Sequence, residues 1–273
     1  MKLTGFADEI SPDLHEQIAT LQAEGIRWLE LRSVWGKNVT VLERAELLAV
    51  KDELDRHGIA VSAIASRVGK KSVREPIETQ LHDLDRAMEA AELFGTRYIR
   101  LFAFLIPEGE RPEAQRDEVM RRMAELLRRV QGKPFTLLLE HEAGMFADNP
   151  QRCLDVMRIC ASPQLRMVYD PANFVQIGVP AMPGYELLAP YIDYIHVKDA
   201  RFADGQETPP GDGDAELEAL FARLKAAGYD GFVSLEPHLR NKPAYAGTPN
   251  PALFRLASSA AKRLLEHAGC AWS

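Results

Sequence analysis

Apolar residues along the chain follow two alternating patterns. Amphipathic stretches with apolar positions three and four apart predict helices, and short, nearly continuous apolar runs follow each of them. DLHEQIATLQAEG (13–25) precedes IRWLEL (26–31), and TVLERAELLAVKDELDRHG (40–58) precedes IAVSAI (59–64). REPIETQLHDLDRAMEAAELFG (74–95) leads to TRYIRLF (96–102), and EAQRDEVMRRMAELLRRVQG (113–132) to FTLLLE (135–140). NPQRCLDVMRICAS (149–162), GYELLAP (184–190) and DAELEALFARLKAAGYD (214–230) lead to LRMVYD (165–170), IDYIHV (192–197) and GFVSLE (231–236). LTGFA (3–7) opens the series and the helix NPALFRLASSAAKRLLEHAG (250–269) closes it. Gly25, Gly58, Gly95 and Gly132 stand where a helix end calls for a left-handed residue.

Apolar runs without polar alternation are the mark of parallel strands covered on both faces. Eight strands and eight helices, beginning with a strand, predict an α/β fold: one (β/α)8 TIM barrel over residues 1–273. An open doubly wound sheet is the competing topology, but the first strand lacks the G-x-G-x-x-G turn of that class. The longer non-helical stretches (33–38, 66–72, 103–112, 171–183, 200–213 and 237–249) all follow strands. They place an active site at the strands' C-terminal ends.

Composition narrows the function. A formal charge of −7 and no Lys/Arg cluster argue against nucleic acid. No apolar stretch is long enough to span a membrane, and MKLTGFADEI shows no leader, so a cytoplasmic address is expected. Cys153, Cys160 and Cys270 read as free thiols.

The chemistry collects at four consecutive predicted strand ends: Glu140, Asp170, His196 and Glu236. Each has an ordinary structural reading, as an ion-pair partner, a turn cap or a satisfied core histidine. Their recurrence at neighbouring strand ends favours a shared site. Three carboxylates and one imidazole make a hard, oxygen-rich donor set that suits Mn²⁺, Mg²⁺ or Co²⁺ better than a structural zinc. In LLLEHEAG (137–144), strand alternation turns Glu140 and Glu142 to one side and His141 to the other. Further residues expected at the mouth as substrate contacts are Glu30, Arg32, Arg67, His141, Glu142, Asn173, Lys198, Arg201 and His238. Asp8, Glu9, Trp35, Phe102, Phe104, Phe174 and Arg240 are weaker candidates.

Five motifs carry a resemblance: EHE (140–142), YDPANF (169–174), HVKDA (196–200), PPGDGDAEL (209–217) and GYDGFVSLEPHL (228–239). With them the chain resembles the xylose-isomerase-like TIM barrels, the sugar phosphate isomerase/epimerase group, over its whole length. The resemblance implies one divalent ion on Glu140, Asp170, His196 and Glu236, Mn²⁺ first, with Mg²⁺, Co²⁺ or Zn²⁺ as alternatives. It implies Glu140 and Glu236 as the proton-exchanging groups of an isomerase or epimerase that acts on a keto sugar or sugar phosphate through an enediolate intermediate. The alternative is a lyase that dehydrates an inosose-like cyclic ketone or cleaves a keto-glycoside; a non-catalytic sugar-binding barrel ranks below both. The expected partner is a small carbohydrate, and the expected assembly a homodimer or homotetramer. In two places the chain departs from the ketose 3-epimerases. Asn173 stands where they carry a His three residues after the Asp, and Phe202 follows Arg201 where they carry an Arg six residues after the metal His.

Overall fold

A computed structural model describes residues 1–240 and 242–273. Asn241, in the loop expected after the eighth strand, lies outside the described residues. Eight strands form one parallel sheet: β1 (Lys2–Gly5), β2 (Trp28–Leu31), β3 (Ala60–Ala65), β4 (Tyr98–Leu101), β5 (Thr136–Glu140), β6 (Leu165–Tyr169), β7 (Ile192–Val197) and β8 (Phe232–Leu235). The order is β1-β8-β7-β6-β5-β4-β3-β2, and β1 and β2 at its two ends lie side by side. The result is the near-closed eight-stranded barrel expected from the sequence.

Helices α1 (Leu14–Ala23), α2 (Arg44–Arg56), α3 (Ile77–Phe94), α4 (Pro112–Val130) and α5 (Pro150–Cys160) cover the outside. The ring is completed by α7 (Ala181–Leu188), α8 (Leu217–Ala226) and α9 (Asn250–His267). Their apolar faces pack on the strands in one continuous core that includes Leu21, Leu54, Leu84, Met123, Val156, Leu220 and Phe254. The four glycines expected at helix ends all have positive φ, between 66° and 75°. No helix among the described residues is long and apolar enough to cross a membrane. The three cysteines are free, Cys153 and Cys270 buried and Cys160 half-buried.

Three features depart from the expected outline. Residues 171–183, expected as loop, contain the short helix α6 (Pro171–Val175), and α7 starts earlier than the 184–190 segment suggested. Two hairpins decorate the mouth, Ser33–Val34 with Lys37–Asn38 and Asp199–Ala200 with Glu207–Thr208. The barrel interior below the site is aromatic and polar. Tyr98, Tyr194, Leu138, Val168, Ala63 and Phe232 pack together. The Tyr194 hydroxyl lies 2.8 Å from Ser62 Oγ, which lies 2.9 Å from Thr4 Oγ1. This layer is the floor on which the mouth residues stand.

Candidate metal centre

The four strand-end residues converge. Ligand-type atoms of Glu140, Asp170, His196 and Glu236 all lie within 4.8 Å of one another, and all four residues are buried. Glu140 ends β5, His196 sits in β7 two residues beyond the inward-facing Tyr194, and Glu236 follows β8. Asp170 follows β6 and caps α6. Its Oδ1 accepts a hydrogen bond from Asn173 N at 3.1 Å, with Pro171 in the first helical turn. One carboxylate oxygen of Asp170 is thus used structurally, and Oδ2 is left facing the cluster.

His196 is the pivot. Nε2 lies 3.3 Å from both carboxylate oxygens of Glu30. Nδ1 lies 3.2 Å from Glu140 Oε1, 3.2 Å from Glu236 Oε2 and 3.9 Å from Asp170 Oδ2. With the Nε2 proton donated to Glu30, the Nδ1 lone pair faces three carboxylates. That arrangement is repulsive unless Nδ1 takes up a proton or a metal cation occupies the space between them. Consistent with this, His196 Nδ1 and Glu236 Oε2 are buried without a hydrogen-bond partner, while Glu140 Oε2 and Asp170 Oδ2 meet only the cations Arg100 and Lys198. The donor set and its unpartnered atoms fit a hard divalent cation, and the cluster is a divalent-metal site.

The local electrostatics tell the same story. Burial would lower the His196 pKa, but Glu30 and Glu140 outweigh it and hold it well above the ordinary value. Burial would raise Glu140, yet Arg100 and His196 bring it down to about 2. Glu236 is likewise held well below the usual carboxylate range, with His238 and Lys198 overcoming burial. Asp170 is pushed up by burial, with Lys198 only partly offsetting it. Positive charge around the centre is thus what keeps Glu140 and Glu236 ionised, and a bound ion would add to it.

Above the cluster opens a cleft of about 420 Å³. Arg32 crosses one wall, with Nε 2.8 Å from Asp8 Oδ2, Nη1 2.8 Å from Glu236 Oε1 and Nη2 3.2 Å from Glu9 Oε1. Arg100 Nη1 stands 3.0 Å from Glu140 Oε2. Lys198 Nζ stands 2.8 Å from Asp170 Oδ2 and donates to Asn173 Oδ1 at 2.6 Å. His238 Nε2 lies 3.1 Å from Glu236 Oε1, and Lys70 donates to Glu142 Oε2 at 2.6 Å. A second hollow of about 480 Å³, lined by residues including Glu92, Arg97, Lys133 and Phe135, contains none of the clusters of metal-ligating side chains found among the described residues.

The family description that matches this chain is Xylose isomerase-like TIM barrel, over residues 18–262. The chain belongs to that family. No curated protein matches it in sequence. Among solved structures, this member of the xylose isomerase-like barrels is similar to the IOLI protein with a bound zinc atom, at TM-score 0.82 and 16% identity over 98% of this chain and 99% of that one. It is similar to a D-tagatose 3-epimerase-like protein, at TM-score 0.79 and 15% identity over 98% of each chain. It is also similar to 3-keto-D-glucoside 4-epimerase, YcjR, from E. coli, at TM-score 0.69 and 18% identity over 93% of this chain and 99% of that one.

Of the expected substrate contacts in this xylose isomerase-like barrel, Arg32, Arg67, Glu142, Asn173, Lys198 and His238 line the cleft. Three do not. Glu30 is 1% exposed and stands behind His196, on the same side of its strand as the cleft residue Arg32 but one layer deeper in the barrel. His141 is wholly buried, stacked on Phe174 with ring centroids 3.8 Å apart, and its Nε2 accepts from Asp170 N at 3.2 Å. Burial lowers its pKa to about 3, so it is a neutral packing group and not a sugar contact. Glu142 lines the cleft together with Glu140, although β5 ends at Glu140 and strand alternation does not extend that far. Arg201 is exposed and pairs with Asp204 at 2.7 Å in the turn of a hairpin, outside the cleft.

Among the weaker candidates, Asp8, Phe102 and Arg240 line the cleft. Trp35 is 43% exposed on its hairpin, and Phe104 and Phe174 are core residues. Lys70, Arg100, Gln176 and Glu207 line the cleft without having been anticipated. The signal for Arg100 was available: a guanidinium within the otherwise apolar run YIRL needs a buried anion.

Proposed function

We propose that the protein is a divalent-metal-dependent isomerase or epimerase of a keto sugar or keto sugar phosphate. Glu140, Asp170, His196 and Glu236 are the ligands, Mn²⁺ is the first choice of ion, and Glu140 and Glu236 move the proton. The observation that carries this reading is the placement of the two glutamates: each holds an oxygen 3.2 Å from the same His196 nitrogen, and both line one cleft.

A bound divalent ion would polarise the substrate carbonyl and so acidify the adjacent C–H. Glu140 and Glu236 enter from β5 and from the end of β8, the two limits of the four-strand arc. A planar enediolate between them has one carboxylate on each face. Removal of a proton by one and return by the other inverts the carbon; return at the neighbouring carbon interconverts ketose and aldose. Held low by cations, both carboxylates are weak bases, so their effectiveness rests on reach and alignment. Lys198 stays cationic, since Asp170 and Glu236 outweigh the effect of its burial, and it is placed to donate to oxygen as negative charge develops there. The similarity to a D-tagatose 3-epimerase-like protein and to a 3-keto-D-glucoside 4-epimerase is in keeping with this chemistry.

A lyase reading is favoured by one observation. His238 lines the cleft, and Glu236 and Glu9 outweigh burial to raise its pKa. An imidazolium there could protonate a departing β-hydroxyl. Incubating ketoses, ketose phosphates and inososes with Mn²⁺-loaded protein in D₂O separates the readings. Deuterated epimer or isomer is expected, and Glu236→Gln is expected to slow exchange about 10²–10⁴-fold. An unsaturated or dicarbonyl product would establish the lyase instead. Ligand binding without exchange or product would leave a non-catalytic barrel.

A further inference from the structure

Among the described residues, the cleft contains two unpaired charges, and both are guanidiniums. Every other charged side chain lining it stands in an ion pair: Arg32, Arg100 and Lys198 with carboxylates of the centre, Lys70 with Glu142, and Glu207 with Lys242. Arg67 and Arg240 line the same cleft, are exposed, and have no carboxylate partner among the described residues. They rise from the loops after β3 and β8. In an eight-strand ring β3 stands opposite β7, so Arg67 faces His196 across the mouth. A molecule held at the metal centre would extend toward it.

The Arg67 loop is firmly built. Gly69 has φ +77°, its N–H donates to Gln80 Oε1 at 2.6 Å, and Phe102 N donates to Val68 O at 2.9 Å. A Cβ at Gly69 would meet Phe102 O at 1.9 Å, so the turn carrying Arg67 lies tight against the β4 loop. A fixed backbone presenting a free guanidinium is suited to bidentate oxyanion recognition. The chain as a whole carries −7, which repels anions, so an anionic ligand would need such a local positive site.

We propose that Arg67, with Arg240 reaching into the same cleft from the loop after β8, forms an oxyanion subsite for a phosphate or carboxylate that the substrate carries. This rests on the proposed keto-sugar reading and narrows it to anionic ketoses. Hydrogen bonds to a charged group of this kind correspond to about tenfold or more in affinity for each arginine.

The test is calorimetric titration of the Mn²⁺-loaded full chain with a ketopentose 5-phosphate, a 2-keto aldonate and the matching neutral ketopentose. At least one anionic ligand is expected to bind tenfold or more tightly than the neutral one. R67A and R240A are each expected to reduce that preference about tenfold, and R67K to restore part of it. Whichever anionic ligand carries the arginine-dependent preference identifies the group as phosphate or carboxylate. Equal affinity for all three ligands, or a preference that survives in the R67A/R240A double variant, overturns the subsite; the latter would mean that the anion binds the ion alone. Binding needs no turnover. Arginine-dependent anion preference without deuterium exchange would uphold the subsite and refute the proposed reaction. Deuterium exchange into neutral and anionic ketoses of equal affinity would do the reverse.

Discussion

Glu30 offers a sharp separation between a metal-positioning role and a merely structural one. Its carboxylate lies 3.3 Å from His196 Nε2 through either oxygen, and both residues are buried. The contact fixes the proton on Nε2 and aims the Nδ1 lone pair at the centre. Removing such a partner typically costs 10–100-fold in metal affinity. Glu30→Gln keeps the volume and one acceptor but loses the charge, so a Kd for Mn²⁺ about tenfold weaker is expected. Glu30→Ala leaves the Nε2–H unpaired in a buried site, at about 1–3 kcal/mol, and lets the ring turn, so about 100-fold is expected. Metal-free stability should move the other way. Glu30 is one of four buried carboxylates packed around a single imidazole, so Glu30→Gln relieves repulsion and is expected to hold or raise the Tm of the stripped protein. Isothermal titration with Mn²⁺ and thermal denaturation of the metal-free chain read the two effects separately. A Glu30→Gln variant that binds Mn²⁺ within twofold of wild type would refute the reasoning.

Two further predictions concern the surroundings of the site. The unfolded chain protonates His141 near pH 6.5, whereas burial lowers its folded pKa to about 3. The depressed folded value means that stability is full above pH 6.5 and is lost as the pH falls toward 3, at about 1.4 kcal/mol per pH unit. From pH 7 to pH 5 this residue alone should cost about 2 kcal/mol. His141→Gln should lose about that much less over the same interval in urea denaturation; equal losses would contradict the assignment. At Gly69, alanine would combine an unfavourable φ with a backbone clash against Phe102 O. Gly69→Ala is expected to cost about 2 kcal/mol or more and to lower Tm by roughly 5 °C, measured by calorimetry. An unchanged Tm would show that the turn is not pinned as described.

The barrel was legible because its signals are local and repeated. Helical periodicity ending in a left-handed glycine, then an unbroken apolar run, identifies one unit, and the units recur around the ring. The four-residue centre was legible for a related reason: parallel strands end together, so polar residues at consecutive strand ends must meet. What escaped depends on details beyond that period. Glu30 looked like a mouth residue because alternation puts it on the same side as Arg32, and alternation gives the side of a strand but not the depth in the barrel. His141 looked polar, but its ring is absorbed by the Phe174 face and the Asp170 amide. Helix α6 was in fact signalled: Asp170-Pro171 is a cap followed by a first-turn proline, and Asn173 N donates to the Asp170 carboxylate. Arg201 was placed by its spacing from His196, but the hairpin at Asp199–Ala200 turns the chain outward and hands it to Asp204.

The central claim is that Glu140, Asp170, His196 and Glu236 hold one divalent ion at the mouth of the barrel. Anomalous diffraction from crystals of the Mn²⁺-loaded protein, with metal content measured on the same preparation, tests it most directly. The account predicts one ion per chain, bonded to His196 through Nδ1 and to an oxygen of each of the three carboxylates. A centre that stays empty at saturating Mn²⁺, or an ion bound elsewhere with His196 still facing the three carboxylates unligated, would contradict it.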